Sequence, residues 1–481
     1  MIISRIICTL LPALAIFFCS PDAQGIVIPA PHPAVTPDKG GDKGDDKDKG
    51  EGQGQGQDQG GETNPTATAL KFYSISCGPG EDASNSMTVS WAVDSTKIRS
   101  YVQYTKASDA AWKWASTVQP EQDYYCTVFD GIWSKSPQGD FYENARFIKY
   151  GTTLSGLEPD TDYKYVIRGE DGSVSREGHF RTAGAAKWSC CVISDFHTYT
   201  PLPNRLTSAM GMIDKVEKFD PSLDWVLSPG DVVVWGGSYS YWQKFFEEQN
   251  TADYMWARVN GNHDNWTREA NEVTKQYDIP NDFFKGSSYY PQNGYGEEMG
   301  VCYHFRYGNT LFVMLNSEDM SSSNSEYSDA VEWTRKVVRE AREGANPPEF
   351  VVVLMHIEWF AGTDGSTEKY DSWHKVFDEL GVNLAIAGDN HVYVRTHPIY
   401  DDKVVSDGKG TVYLQTPASD NDRGRDIKDG TPKNSDKIAF RWSEGSHSIG
   451  AIHMEMDGGT INLKLIDRNG NTIDSSQIKA R

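Results

Sequence analysis

Met255-Trp256-Ala257-Arg258-Val259-Asn260-Gly261-Asn262-His263-Asp264 passes from a largely apolar run straight into amide, imidazole and carboxylate side chains. A short apolar run closed by turn residues reads as a buried strand. The same grammar recurs on both sides. Trp188 to Ile193 leads into Asp195-Phe196-His197, and Trp225 to Leu227 into Gly230-Asp231. Phe350 to Met355 leads into His356, and Val382 to Ala387 into Gly388-Asp389-Asn390-His391. Helical periods lie between: Leu206, Met210, Ile213 and Val216; Val331, Thr334, Val338 and Ala341; Trp373, Val376, Phe377 and Leu380. Alternating strand and helix predict a layered α/β domain. Ligands gather beyond the carboxyl ends of such strands, so the five polar motifs are expected to meet.

Taken singly, Gly-Asp or Asp-x-His is ordinary turn punctuation. In order, each after a strand and at domain-scale spacing, the motifs ask for one explanation. Two cations a few ångströms apart need a carboxylate that reaches both, with oxygen and imidazole donors completing each shell. Asp231 is the expected bridge, with Asp195, His197 and His391 on the first metal and Asn262, His356 and Asp389 on the second. Paired cations acidify a water and neutralise charge on a phosphoryl oxygen, so the expected nucleophile is a hydroxide held by the metals and not a side chain. His263 is the candidate for steadying the transition state or protonating the leaving alkoxide. Asp264 would orient that imidazole or be an exposed turn carboxylate.

These motifs resemble the calcineurin-like metallophosphoesterase superfamily, and within it the purple acid phosphatase-like branch. Asn316-Ser317-Glu318 after the run Leu311 to Leu315 resembles the family's Asn/Asp-Ser/Thr-Glu segment, and His391-Val392-Tyr393-Val394-Arg395 its His-x-Tyr-Glu-Arg stretch. The tail from Ile449 to Ile478 resembles its last strands. The resemblance spans roughly residues 66 to 481 and implies a four-layer αββα metallophosphoesterase sandwich at 187–481. It also implies two metal ions per chain, drawn from Fe, Mn, Zn, Mg or Ca. Three departures matter. Purple members carry a Tyr three residues after the bridging Asp, where this chain has Val234, so no violet colour is expected. His197 restores an imidazole that those members usually lack. Asp389 stands where the family has His, and a carboxylate there leans the second site toward manganese, magnesium, calcium or ferrous iron over zinc. Loss of that ligand is the competing reading.

Residues 66–184 read as all-β. Met87, Val89, Trp91 and Val93 alternate strictly, as do Tyr163, Tyr165 and Ile167, which is the period of half-buried strands. Leu157-Glu158-Pro159-Asp160-Thr161-Asp162-Tyr163 resembles the tyrosine corner of fibronectin type III domains, so a fibronectin type III-like β-sandwich is expected ahead of the catalytic domain. Trp112, Trp114 and Trp133 are expected in its core rather than on a glycan- or protein-binding face.

Further upstream, residues 38–62 lack aliphatic and aromatic side chains, so 25–65 is expected to be a disordered linker. Arg5 and the apolar stretch Ile6 to Phe18 read as a signal peptide, residues 1–24, with cleavage near Ala23 or lipidation at Cys19 as its two endings. An exported protein follows, secreted or held in the cell envelope, with no transmembrane span. A formal net charge of -22 argues against a nucleic-acid scaffold role. His179, His304, His374 and His453 are expected to be surface or core residues, with His304 and His397 the ones to watch. Cys190 and Cys191 are expected as buried free thiols, and Cys77 with Cys126 as a candidate bridge.

The expected activity is hydrolysis of phosphate monoesters on a small-molecule substrate, the monoester preference resting on the family analogy. Glu358 and Arg395 are the expected substrate contacts, with Trp359 and the loop Asp420 to Arg425 as further pocket wall. A phosphodiesterase or nucleotide-cleaving enzyme on the same metals is the alternative. A binding module with a vestigial site is a third reading.

Overall fold

Five apolar runs ending in polar motifs become five strands, divided between two sheets. A computed structural model describes residues 69–94, 98–131, 141–185, 187–265, 288–318, 320–362, 364–427 and 430–481, without the side chains of 124–131 and 141–146. The expected signal peptide, the linker and Trp133 lie outside these residues.

Lys187–Val192, Trp225–Ser228 and Met255–Arg258 run parallel in the centre of a ten-stranded sheet. Within each of its two flanks the strands are antiparallel. On one side Lys187–Val192 is followed by Gly450–Asp457, Thr460–Asp467 and Thr472–Lys479. On the other, Phe72–Pro79 runs parallel to Met255–Arg258 with Cys77 opposite Met255, and Ser86–Val93, Phe141–Ser155 and Gln122–Gly131 follow it antiparallel. Strands from the N-terminal region thus extend the catalytic sheet. Phe350–Leu354 and Leu384–Ala387 belong to a seven-stranded sheet whose centre, Thr310–Met314 through Val412–Gln415, is also parallel.

Alternation along these central strands explains their unbroken apolar character. Phe312, Met314, Val352, Leu354, Leu384 and Ile386 share one core with Cys190, Val192, Trp225 and Leu227 of the other sheet. Their neighbours Leu311, Val313, Val351, Val353 and Ala385 pack on the far side with Val331, Val338, Trp373 and Phe377. Those last four come from the helices Ser325–Glu343 and Glu368–Leu380. On the first sheet, the helix Asn204–Phe219 lies on Gly450–Asp457, and Tyr239–Glu247 lies on Phe72–Pro79. Strands covered on both faces have no use for alternating polarity.

A four-stranded antiparallel sheet, Ser116–Val118, Ser100–Lys106, Asp162–Gly169 and Gly178–Arg181, completes the N-terminal region. It packs on the extended sheet. Trp91 Nε1 donates to Ser100 Oγ at 2.8 Å, and the Glu158 N–H donates to the Tyr163 hydroxyl at 3.0 Å. Three expectations change here. Ser86–Val93 is buried on both faces despite its alternating sequence, with Ser90 and Ser76 hydroxyls pairing at 2.9 Å in place of water. Trp114 is 74% exposed, with the Lys113 ammonium over its ring, so it is not a core residue. Cys77 is a free buried thiol, as are Cys190, Cys191 and Cys302, which removes the Cys77–Cys126 bridge.

Candidate metal centre

All five motifs arrive at the meeting of the two sheets' carboxyl ends, and their backbones are tied to each other before any side chain is considered. Asp195 and His197 N–H groups donate to Gly230 and Asp231 carbonyls at 3.1 and 3.0 Å, and the Gly388 N–H donates to His356 O at 2.9 Å. The Asp389 N–H donates to Asp195 Oδ1 at 3.0 Å. Such close weaving forces unusual backbone: Asp195, His197, Asp231, Asp389 and His391 all have φ between 45° and 69°. Left-handed backbone costs an ordinary residue roughly 1–3 kcal/mol and clusters where function demands it. Glycine permits the closest approaches. A Cβ on Gly261 would stand 2.0 Å from Asp231 Oδ1, and one on Gly388 2.9 Å from both Asp195 Oδ2 and His356 Nδ1.

Asp195, His197, Asp231 and His391 each present a ligand atom within 4.8 Å of the others, and all four are buried. The imidazole tautomers follow from their backing. His197 Nδ1 lies 2.8 Å from Asp195 O, His391 Nδ1 2.7 Å from Arg423 O, His356 Nδ1 2.9 Å from Pro229 O, and His263 Nδ1 2.8 Å from Val234 O. Carbonyl oxygens only accept, so Nδ1 carries the proton in each neutral ring and Nε2 turns a bare lone pair inward. His197 Nε2 is then 3.0 Å from Asp231 Oδ2, yet among the described residues it makes no hydrogen bond. On the other side of the same carboxylate, His356 Nε2 lies 3.3 Å from Asp231 Oδ1, 3.1 Å from Asn262 Oδ1 and 3.8 Å from Asp389 Oδ1. Lone pairs facing one another in a dry site repel unless a positive charge stands between them. This donor set fits cations on both sides of Asp231.

The electrostatics agree. Burial holds His197 down to about 3, so its ring stays neutral. Burial pushes Asp195 up to about 8, in part because Asp231 and Asp389 stand near. For His356 burial acts downward, but the carboxylates of Asp231, Asp195 and Asp389 outweigh it and lift the ring well above the usual imidazole range. A proton takes up part of the positive charge that the carboxylates call for.

The family model for the purple acid phosphatase N-terminal domain matches residues 73–182, and that for calcineurin-like phosphoesterases matches 190–393. The chain carries a calcineurin-like phosphoesterase domain, and the two matches together support the purple acid phosphatase-like branch. Two Mycobacterium tuberculosis proteins, described only as uncharacterized, are 25% identical over 276 residues, 51% of this chain and 50% of theirs. The chain therefore spans about half the length of these curated relatives. Purple acid phosphatase PPD1 from yellow lupin (Lupinus luteus) seeds shares the fold with a TM-score of 0.65 at 16% identity, over 85% of this chain and 74% of that one. PhoD does so with a TM-score of 0.55 at 13% identity, over 84% of this chain and 93% of that one.

In this phosphoesterase the remaining candidates divide. Glu358 stands against Asp389; burial and then that neighbour push its carboxyl up to about 8, and among the described residues its buried Oε2 makes no hydrogen bond. Asp264 does not orient His263. It is neither exposed nor turned to the imidazole, since its oxygens accept the Val233 and Gly261 N–H groups at 3.0 and 2.9 Å. That clamp holds the loop after Asp231 against the loop carrying Asn262. Arg395 is also taken up elsewhere. Its guanidinium makes a two-pronged pair with Asp474, at 2.8 and 3.1 Å, beside the Tyr393 hydroxyl, so it is a tie between the sheets and not a substrate contact. His179 and His453 pair with Asp253 and Asp220, His374 stacks on Tyr370 and His304 packs near Trp333, and the His397 backbone N–H donates to Lys437 O. Sequence reading missed the carbonyls of Pro229, Val234 and Arg423, which fix the tautomers. Backbone oxygens have no residue-type signature.

Proposed function

We propose that this chain is an exported phosphatase with a dinuclear metal centre, hydrolysing phosphate monoesters. One observation carries the reading: Asp231 offers an oxygen to each side of a buried site, and each side answers with an imidazole lone pair. Asp195, His197 and His391 would complete one ion's shell, and Asn262, His356 and Asp389 the other's. Bound there, paired cations supply an activated water and neutralise phosphoryl charge. The chain's own residues do the rest. Backbone carbonyls hold the three ligand imidazoles in the ligating tautomer and fix the His263 ring in the same way, and burial excludes bulk water. With its Nδ1–H donated to Val234 O, His263 carries a proton on Nε2 only as imidazolium. Burial lowers its proton affinity, so donation from Nε2 to a leaving alkoxide belongs to the acid side of the pH range.

The domain plan proposed alongside is a signal peptide at 1–24, a linker at 25–65, a fibronectin type III-like sandwich at 66–184 and a four-layer αββα catalytic domain at 187–481. The Glu158–Tyr163 bond supports the fibronectin-like reading, and the two helix-covered sheets support the four layers. Export rests on the apolar stretch Ile6 to Phe18. Among the described residues no helix is long and apolar enough to cross a membrane. The proposed substrate is a small-molecule ester, and the proposed ions are hard ones, because three of the second ion's four donors, counted with Asp231, are oxygens.

Metal analysis of the purified chain tests this, together with turnover of an aryl monoester and an aryl diester. Close to two ions per chain are expected. Asp231→Asn should remain folded and lose more than the ~10–100-fold that outer partners of ligands typically cost. One ion or none, with no turnover of either ester under any added metal, would leave a binding module as the better reading.

A further inference from the structure

The metal ligands account for the floor of the site and leave its phosphate-facing wall unassigned. The loop from Asp420 to Ile427 folds over that floor. Its course is fixed: the buried Asp420 accepts the Asp422 and Arg423 N–H groups on Oδ1, at 3.2 and 2.9 Å. Gly424 passes so near the 445–448 turn that a Cβ would meet Gly445 O and Ser448 N at 2.7 Å. Arg423 is welded to the centre by its own carbonyl, which accepts the His391 Nδ1 proton at 2.7 Å. Burial and then the neighbouring Arg205 lower its guanidinium's proton affinity, while Asp420, Asp231 and Asp195 act the other way. After burial, its positive charge is among the influences lowering His197, His263 and His391.

Three arginines gather here, and their partners differ. Arg205 is satisfied by Asp422 at 2.9 Å, with Asp420 at 4.0 Å. Arg425 is exposed. Arg423 is only partly exposed, and among the described residues its guanidinium makes no hydrogen bond or ion pair. A guanidinium drawn out of water with its planar fork unfilled is held for an oxyanion. In a chain of net charge -22 such a group also offsets the general repulsion of a phosphorylated substrate.

From this geometry we infer that Arg423 grips a non-bridging oxygen of the substrate's phosphoryl group, and that it favours terminal, dianionic phosphate over the singly charged diester. The inference rests on the phosphoesterase reading above and adds the residue that selects the monoester. A diester presents one fewer negative oxygen to the fork, so it gains less from the same contact.

The test uses the metal-loaded full chain with Arg423→Gln and Arg423→Lys, and measures metal content, melting temperature, inhibition by inorganic phosphate, and kcat and KM on an aryl monoester and an aryl diester. With metal content and melting unchanged, Arg423→Gln is expected to weaken phosphate about tenfold or more, the scale of one charge-assisted hydrogen bond. The monoester KM should rise in step, while the diester KM moves much less. Arg423→Lys keeps the charge and loses the fork, so it should fall between. Equal phosphate affinity in all three chains overturns the assignment, as does a loss in Arg423→Gln matched by lost metal. A parent chain without metal or turnover removes the phosphoesterase reading itself, which separates the two failures.

Discussion

Gly261 shows how little room a single position can leave. The carboxylate of Asp231 occupies the space where any side chain at 261 would begin, with a Cβ at 2.0 Å from Oδ1 and 2.5 Å from the Asp231 nitrogen. Because the obstacle includes backbone, no rotamer change relieves it. Gly261→Ala should therefore cost metal binding and nearly all turnover, while the strand behind it, already paired at Arg258 and Ser228, keeps the melting temperature within a few degrees. Retained metal content in that variant would show that Asp231 can move without consequence. The same reasoning explains the motif letters. Asp195, His197, Asp231, Asp389 and His391 are not chosen for backbone comfort, since each lies at positive φ; they are tolerated there because the side chain is needed.

At the scale of elements, the strands and three long helices were readable because burial on two faces writes itself as continuous apolar runs, and one-sided burial as a period of 3.6. Lys187–Val192, Trp225–Ser228 and Phe350–Leu354 end where their sequences turn polar. Pairings across the fold were not readable. Arg395 looked like a pocket residue because it follows His391 by four positions, but its partner Asp474 lies 79 positions away, on the edge strand of the other sheet. Nothing local announces such a contact. If the pair is a tie, Arg395→Gln should lower the melting temperature and leave KM for an aryl phosphate unchanged, because a partly buried, two-pronged pair that loses one member leaves a stranded carboxylate. A raised KM at constant stability would return Arg395 to the pocket. Asp264 misled in a related way: adjacency to His263 suggested a partner, whereas its carboxylate reaches backbone from two loops.

For the whole molecule, the site concentrates buried carboxylates that call for positive charge. Asp195 is pushed up to about 8 and Asp264 up to about 7, burial being the main cause for each. Ions that bind the folded chain alone stabilise it by mass action. Chelation should thus lower the melting temperature by several degrees, and manganese or calcium should restore it more fully than zinc. A chelated chain that melts with the untreated one would mean that the fold carries those carboxylates without help.

The ten-stranded sheet runs without interruption from the catalytic strands into the N-terminal region, by way of Cys77 beside Met255. Without that region Met255–Arg258 would be an outermost strand, open at Met255 although the Tyr303 hydroxyl takes up the N–H and C=O of Arg258, and an open flank is where proteins stick to their neighbours. The preceding module is then more than an appendage. At Met255 it occupies the open flank of the strand that delivers Gly261 and Asn262, leaving a foreign strand no place to start pairing there.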